Sequence, residues 1–173
     1  MNNRLAAHTA PQPERVPILR VITAEYAFQV LELIRRASAS IDVLSYVVKF
    51  NTYKKSDKAN LIYLALKNFA AKGRPVRVIL DYPKPYKPNY NCNRFSVRRF
   101  KEASFNVKYL HSGQTQHAKL FIFDQSLALF GSHNWTTKSV ISRYDVSLFL
   151  NDPGVVSYLN NYYNSLWQLS IEA

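Results

Sequence analysis

The chain has 173 residues, 47% hydrophobic and 20% charged, the composition of one globular domain rather than of a disordered chain. A single cysteine, Cys92, excludes an intrachain disulfide framework and a cysteine-built zinc site, and no apolar run reaches the roughly 18–20 residues of a membrane-spanning helix. Lys and Arg number 23 against 11 Asp and Glu, a formal charge of +12, which attracts polyanions such as nucleic acid or an anionic membrane.

Residues 1–17 hold three of the eight prolines and little apolar periodicity, which predicts a flexible tail ahead of one domain over 18–173. The opening MNNRLAAHTAPQPERVP lacks an apolar h-region, so no secretory signal is expected and the chain is assigned to the cytoplasm. From Thr23, a possible cap, Ala27, Val30, Leu31, Ile34 and Ala37 recur at helical spacing. IDVLSYVV (41–48) is β-branched and almost continuously apolar, as a strand buried on both faces requires. A second helix is predicted over 57–72. Ser56 or Asp57 caps it, Leu61, Leu64, Ala65, Asn68 and Phe69 mark one side, and Gly73 stands just past its end. PVRVILD (75–81) is the next strand, so the first half contains a strand–helix–strand unit and parallel pairing.

A helix over 93–104 and strands over 106–111, 117–124, 127–131 and 145–150 follow, then a last helix over 153–169. LFIFDQSLALFG reads as a hairpin turning at 124–126. The predicted fold is α/β, a mixed and largely parallel central sheet flanked by helices on both faces.

YPKPYKPNYNCNRFSVRRFK (82–101) has six basic residues, Lys84, Lys87, Arg94, Arg98, Arg99 and Lys101, and no acidic one. Tyr82, Tyr86, Tyr90, Phe95 and Phe100 lie between them. Cations neutralise phosphates and aromatic faces stack on unpaired bases, although a Pro-rich surface loop with solvated lysines has the same composition. Lys49, Lys54, Lys55 and Lys58 form a second basic group, lining a groove or facing solvent.

HAKLFIFDQSLALFGSHN (117–134) carries the chemistry. His117 and Lys119 are two apart on a predicted strand and share a face. If the hairpin pairs, Ser132 and Asn134 come beside them. An imidazole, an ammonium, a hydroxyl and a carboxamide at one rim suit a phosphate. The spacing H-x-K-x4-D-x6-G-S-x-N resembles the motif of the phospholipase D superfamily. Six fixed positions match a random chain of this length with a probability on the order of one in a million, so the false-positive risk is small.

The resemblance implies a site built from two motifs. This chain has one and no second H-x-K, so a homodimer with the site on its two-fold axis is implied. By the same resemblance one His117 attacks phosphorus, the other protonates the leaving oxygen, and Lys119, Asn134 and Ser132 hold the non-bridging oxygens. No metal or other cofactor is implied, and the eleven acidic residues show no obvious cluster for a two-metal site. Asp145 occupies the place of the family's acidic acceptor for the histidine, or is only a strand-start residue, and Arg143 departs from the family's usual Asn. Asp124 is a motif position expected to accept backbone N–H groups at a turn.

His133 is read as a neighbour rather than a ligand, Trp135 as packing, and Asp81 as a cap of the following turn. The expected function is an endonuclease on nucleic acid, DNA ranked ahead of RNA, with Lys84, Lys87, Arg94, Arg98, Arg99, Lys101, Lys54 and Lys55 as binding residues and no obligatory membrane. The alternatives are a phospholipase or phosphatidyltransferase on lipid phosphodiesters and a binding module without turnover.

Overall fold

The computed structural model describes residues 19–87 and 89–173; the expected tail over 1–17 lies outside them. Among the described residues the order is β1 (Leu19–Ile22), α1 (Tyr26–Arg36), β2 (Ile41–Ser45), β3 (Val48–Lys49), α2 (Lys58–Ala70), β4 (Val76–Asp81), α3 (Tyr90–Glu102), β5 (Asn106–Leu110), β6 (Lys119–Phe123), β7 (Leu127–Gly131), β8 (Trp135–Thr136), β9 (Ser147–Leu150), α4 (Pro153–Leu169) and β10 (Ile171–Glu172). A single 3-10 turn, Ser139–Ile141, lies between β8 and β9.

Eight strands make one sheet in the order β1-β9-β7-β6-β2-β4-β5-β10, while β3 and β8 pair separately. The sheet is mixed with helices on both faces, but its balance differs from expectation. Within the eight-stranded sheet only β2–β4 and β4–β5 are parallel, and the small β3–β8 pair is parallel too. The pairings of β1, β6, β7, β9 and β10 are antiparallel. Parallel neighbours need a crossover of a dozen or more residues, and in this sheet the α2 and α3 segments supply it.

Side chains alternate across this sheet. Val43, Val78, Phe121 and Leu129 pack with α1, α2 and α3, whereas Leu44, Ile79, Leu120 and Ala128 pack with α4. Helix α2 buries Ala59, Ile62, Tyr63, Leu66 and Phe69, so of the expected side Phe69 is buried and Ala65 packs partly buried against the core. The stripe is rotated because apolar residues occur on more than one side of this helix. Asp57 caps it by accepting from the Asn60 N–H at 2.9 Å, and Gly73 takes φ 76° just beyond it. Thr23 is not the cap of α1, which starts after Glu25 with no side-chain cap bond.

The expected strand over 41–48 breaks after Ser45. Asn93 and Ser96 of α3 replace its ladder: the Asn93 amide donates to the Tyr46 carbonyl at 2.9 Å and accepts from the Val48 N–H at 3.0 Å. Ser96 Oγ donates to the Val48 carbonyl at 3.0 Å. These bonds turn the chain at Tyr46 and present its ring at the rim of the sheet.

Candidate active site

The carboxyl ends of β2, β4 and β7 and the amino ends of β6 and β9 meet at one rim. Register places Lys119 opposite Gly131 and Gly131 opposite Ser147. His117, exposed, precedes β6, which starts at Lys119 and not at 117 as expected, and Ser132 and Asn134 follow β7, so these four motif residues come to one rim.

Lys119 is only 4% exposed. Its Nζ donates to the His117 carbonyl and lies 3.0 Å from His117 Nδ1. The Tyr46 ring completes the group, with its centroid 4.8 Å from the imidazole and 5.6 Å from Lys119 Nζ. Burial pushes Lys119 down to about 8, against an opposing pull from the Asp145 charge. Because Lys119 occupies Nδ1, the imidazole presents Nε2 outward.

Ser132 and Asp145 form a second group. Ser132 Oγ donates to Asp145 Oδ1 at 2.8 Å and accepts from the Val146 N–H at 3.0 Å. Ser139 Oγ donates to Asp145 Oδ2 at 2.8 Å and accepts from the Asn134 N–H at 2.8 Å. Burial raises the Asp145 carboxyl, but the serine hydroxyls outweigh it and hold the group below the usual range. Within the chain, both Asp145 oxygens are thus taken by hydroxyls and neither bonds His117. The Asn134 side-chain oxygen is buried without a partner.

Gly131 makes this mesh possible. A Cβ there would lie 2.3 Å from the Val146 carbonyl oxygen and 2.4 Å from Ser147 Cα. Gly131→Ala is expected to push β9 off β7, lowering stability by about 1–3 kcal/mol and turnover by about 10²-fold. Urea midpoints and kcat measure the two effects.

Asp124 lies at the opposite end of β6 and accepts from the N–H groups of Ser38, Ala39 and Ser40 at 2.8, 2.7 and 3.0 Å. It fixes the α1–β2 connection and stands away from the rim. The turn itself has Asp124 and Gln125 at φ 50° and 54°, both in the left-handed region. His133 is buried, stacked on Tyr26 at 4.3 Å, with Nδ1 2.9 Å from Ser147 Oγ; burial lowers it, which favours the neutral ring. Trp135 is buried and donates to the Ala59 carbonyl at 2.9 Å. Asp81 bridges rather than caps: Oδ1 accepts from the Gln116 N–H at 2.7 Å and Oδ2 from Asn89 Nδ2 at 2.8 Å.

Tyr46, Ser139 and Gln116 were not singled out by the sequence. Tyr46 lies inside the strand expected over 41–48 and Ser139 five residues past the motif, positions to which no local pattern assigns a role.

A family model described as cardiolipin synthase, PLD-like domain, matches residues 30–167. The chain belongs to the phospholipase D-like family. No curated protein matches it in sequence. Among solved structures, NucT from Helicobacter pylori superposes with a TM-score of 0.70 at 20% identity, covering 91% of this chain and 99% of that one. Nuc from Salmonella typhimurium, a phospholipase D family member, gives 0.72 at 18%, with the same coverages. Phosphatidylserine synthase from Haemophilus influenzae gives 0.66 at 14%, covering 97% of this chain and 42% of that one.

In this phospholipase D-like domain the eight expected nucleic-acid residues separate into groups. Lys84 donates to the Gly113 carbonyl at 3.2 Å, Lys87 is exposed, and Arg94 lies over the Tyr90 ring. Lys54 and Lys55 are exposed in the β3–α2 connection. Arg98 and Arg99 both pair with Glu102, and Lys101 donates to the Ala173 carbonyl. These last three sit about 12–16 Å along α3 from Tyr90, by the helical rise, and away from the rim. Among the described residues no group of His, Cys, Asp and Glu could hold a metal ion, and no helix is long and apolar enough to cross a membrane.

Proposed function

We propose that this protein is a metal-independent phosphodiesterase that cleaves nucleic acid endonucleolytically, working as a homodimer through a covalent phosphohistidine. The observation that carries the reading is the exposed His117 backed by a buried Lys119 at the rim that also holds Asn134. Nε2 of one His117 attacks phosphorus; the P–O bond to the leaving group breaks, and that oxygen takes a proton from the partner's His117. Water then attacks phosphorus and passes its proton to that second imidazole, while the P–N bond breaks and frees the first. Lys119 and Asn134 from both chains stabilise the charge on the equatorial oxygens. Ser132 acts through Asp145, which it braces, as well as beside the phosphate.

A single chain leaves His117 Nδ1 on an ammonium and Asp145 on two hydroxyls. A nucleophilic Nε2 needs an acceptor at Nδ1, so the pairing of imidazole and carboxylate belongs to the dimer. Ile141, Tyr144 and Val146, exposed around Asp145, supply an apolar surface for the second copy. The charge of +12 and the basic, aromatic 82–101 segment support nucleic acid, DNA ahead of RNA, as the substrate. The test is a panel of labelled DNA and RNA in EDTA: cleavage is expected to persist, and loss of all cleavage on chelation contradicts the reading.

Lys119 sets the alkaline limb. Below about 8 it carries the charge that a diester anion needs; above, it loses it. The kcat/KM value, which reports the free enzyme, should therefore fall at least about tenfold per pH unit above 8. Stability runs the other way. The unfolded lysine keeps its proton to 10.5, so the fold gains stability between about 8 and 10.5 as it sheds a buried ammonium. Lys119→Arg should remove the limb from the rate profile even though its rate is lower, and an unchanged limb assigns it to another group.

The cardiolipin synthase description of the family model favours a second reading, the same chemistry on a lipid phosphodiester. Headgroup release from phosphatidylcholine or cardiolipin vesicles, at a rate exceeding that on oligonucleotides, establishes it over the first.

A further inference from the structure

The connection from β4 to α3 builds two adjoining cavities that share Pro85 and Tyr90 as a common wall. One, of about 470 Å³, is lined by Tyr82, Tyr109 and Arg94; the other, of about 770 Å³, carries Lys49 and Lys87. No Asp or Glu side chain lines either. The first offers flat aromatic faces and a guanidinium, and the second offers ammonium groups.

The aromatic walls are held in place. Tyr82 packs against His111 at 4.3 Å and edge-on to Tyr109 at 5.8 Å. Arg94 lies 5.1 Å over the Tyr90 ring and donates to its hydroxyl at 3.0 Å. Burial pushes Tyr109 up to about 12, so its phenol is a neutral donor at working pH. At the tip, Tyr86 has φ 66° and a fully exposed ring, a conformation that bulky residues rarely adopt and that no burial offsets.

This segment is also tied to the catalytic strand. Asp81 bonds both Asn89 and the N–H of Gln116, the residue before His117, and Lys84 bonds the Gly113 carbonyl. Tyr82 follows β4 and Lys119 begins β6, with β2 between the two strands, so about 10 Å of strand spacing separates cavity and site.

We infer that these cavities form a subsite for an unpaired base of the cleaved strand. The base stacks in the Tyr82–Tyr109–Arg94 cavity, and neighbouring phosphates lie over Lys49 and Lys87. The inference rests on the phosphodiesterase reading and gives it a substrate class: single-stranded, frayed or flexible nucleic acid rather than intact duplex, whose bases must first unstack to enter.

The experiment measures binding by fluorescence anisotropy in His117→Ala protein, which prevents cleavage. The probes are a single-stranded oligonucleotide, a series with one abasic site moved along it, and the matching duplex. Single strand is expected to bind more tightly than duplex, and one abasic position should weaken binding by roughly 5- to 150-fold. Tyr90→Ala should reproduce that loss on the intact strand and abolish the abasic sensitivity. Arg94→Gln, at an exposed position, should reduce both if Tyr90→Ala fails to fold. Equal losses on single strand and duplex, or abasic sensitivity untouched by either substitution, overturn the inference. Hydrolysis of bis(p-nitrophenyl) phosphate by the unsubstituted protein, a diester without a base, tests the phosphodiesterase reading alone. Activity there with no base effect on oligonucleotides sinks only the subsite.

Discussion

His117→Ala is expected to lower phosphodiester cleavage by about 10⁴-fold or more while leaving the fold intact. His117 is exposed, and no other side chain at the rim can replace it. The Ser132 hydroxyl proton is held by Asp145, and His133 is buried against Tyr26 with its Nδ1 at Ser147. Lys119 and Asn134 remain in the variant and, in the proposed reaction, still hold the phosphate, so KM should change far less than kcat. Kinetics on a labelled oligonucleotide, with thermal unfolding as control, read both quantities. Cleavage within tenfold of the unsubstituted protein removes the histidine from the reaction.

Arg77→Met should cost roughly 3–5 kcal/mol of folding stability. Asp42 of β2 and Arg77 of β4 are register partners, joined by Nε–Oδ1 at 2.7 Å and Nη2–Oδ2 at 2.6 Å. The guanidinium lies 5.0 Å over Tyr163 and 5.3 Å over Trp167, and bonds Asn164 at 3.0 Å, so it also fastens α4 to the sheet. The Asp42 side chain is 4% exposed and the Arg77 side chain 28%. Removing the arginine therefore strands a carboxylate with little water, whereas Asp42→Val leaves a guanidinium that keeps its rings, Asn164 and some solvent. The arginine variant should be the weaker of the two, and the double variant should recover part of the loss. Urea midpoints decide; an Asp42→Val protein less stable than Arg77→Met reverses the ranking and the desolvation argument with it.

The motif was legible because its chemistry is carried by local spacing. H-x-K at the start of β6, a hairpin at Asp124 and G-S-x-N at the end of β7 are separations of a few residues, and the antiparallel register of the two strands, Lys119 opposite Gly131, brings them together. The buried runs of β2, β4 and β6 and the span of α4 were legible for the same reason. What was not legible depends on distant partners. Tyr46 reaches the imidazole because Asn93, 47 residues away, turns the chain there. Asp81 serves the loop before His117 through a bond across 35 residues. Edge strand β1 exposes Leu19 and Val21, so its one-sided burial left no periodic mark. Asp145 was found by its place after the motif, but its hydroxyl partners Ser132 and Ser139 follow from the close approach that Gly131 permits.

The shared two-histidine site is tested most directly by native mass spectrometry of the protein quenched during turnover of an oligonucleotide. The account predicts a dimer carrying one phosphoryl-linked adduct, located on His117. Product accumulating from a monomer, or with an adduct on some other residue, would contradict it.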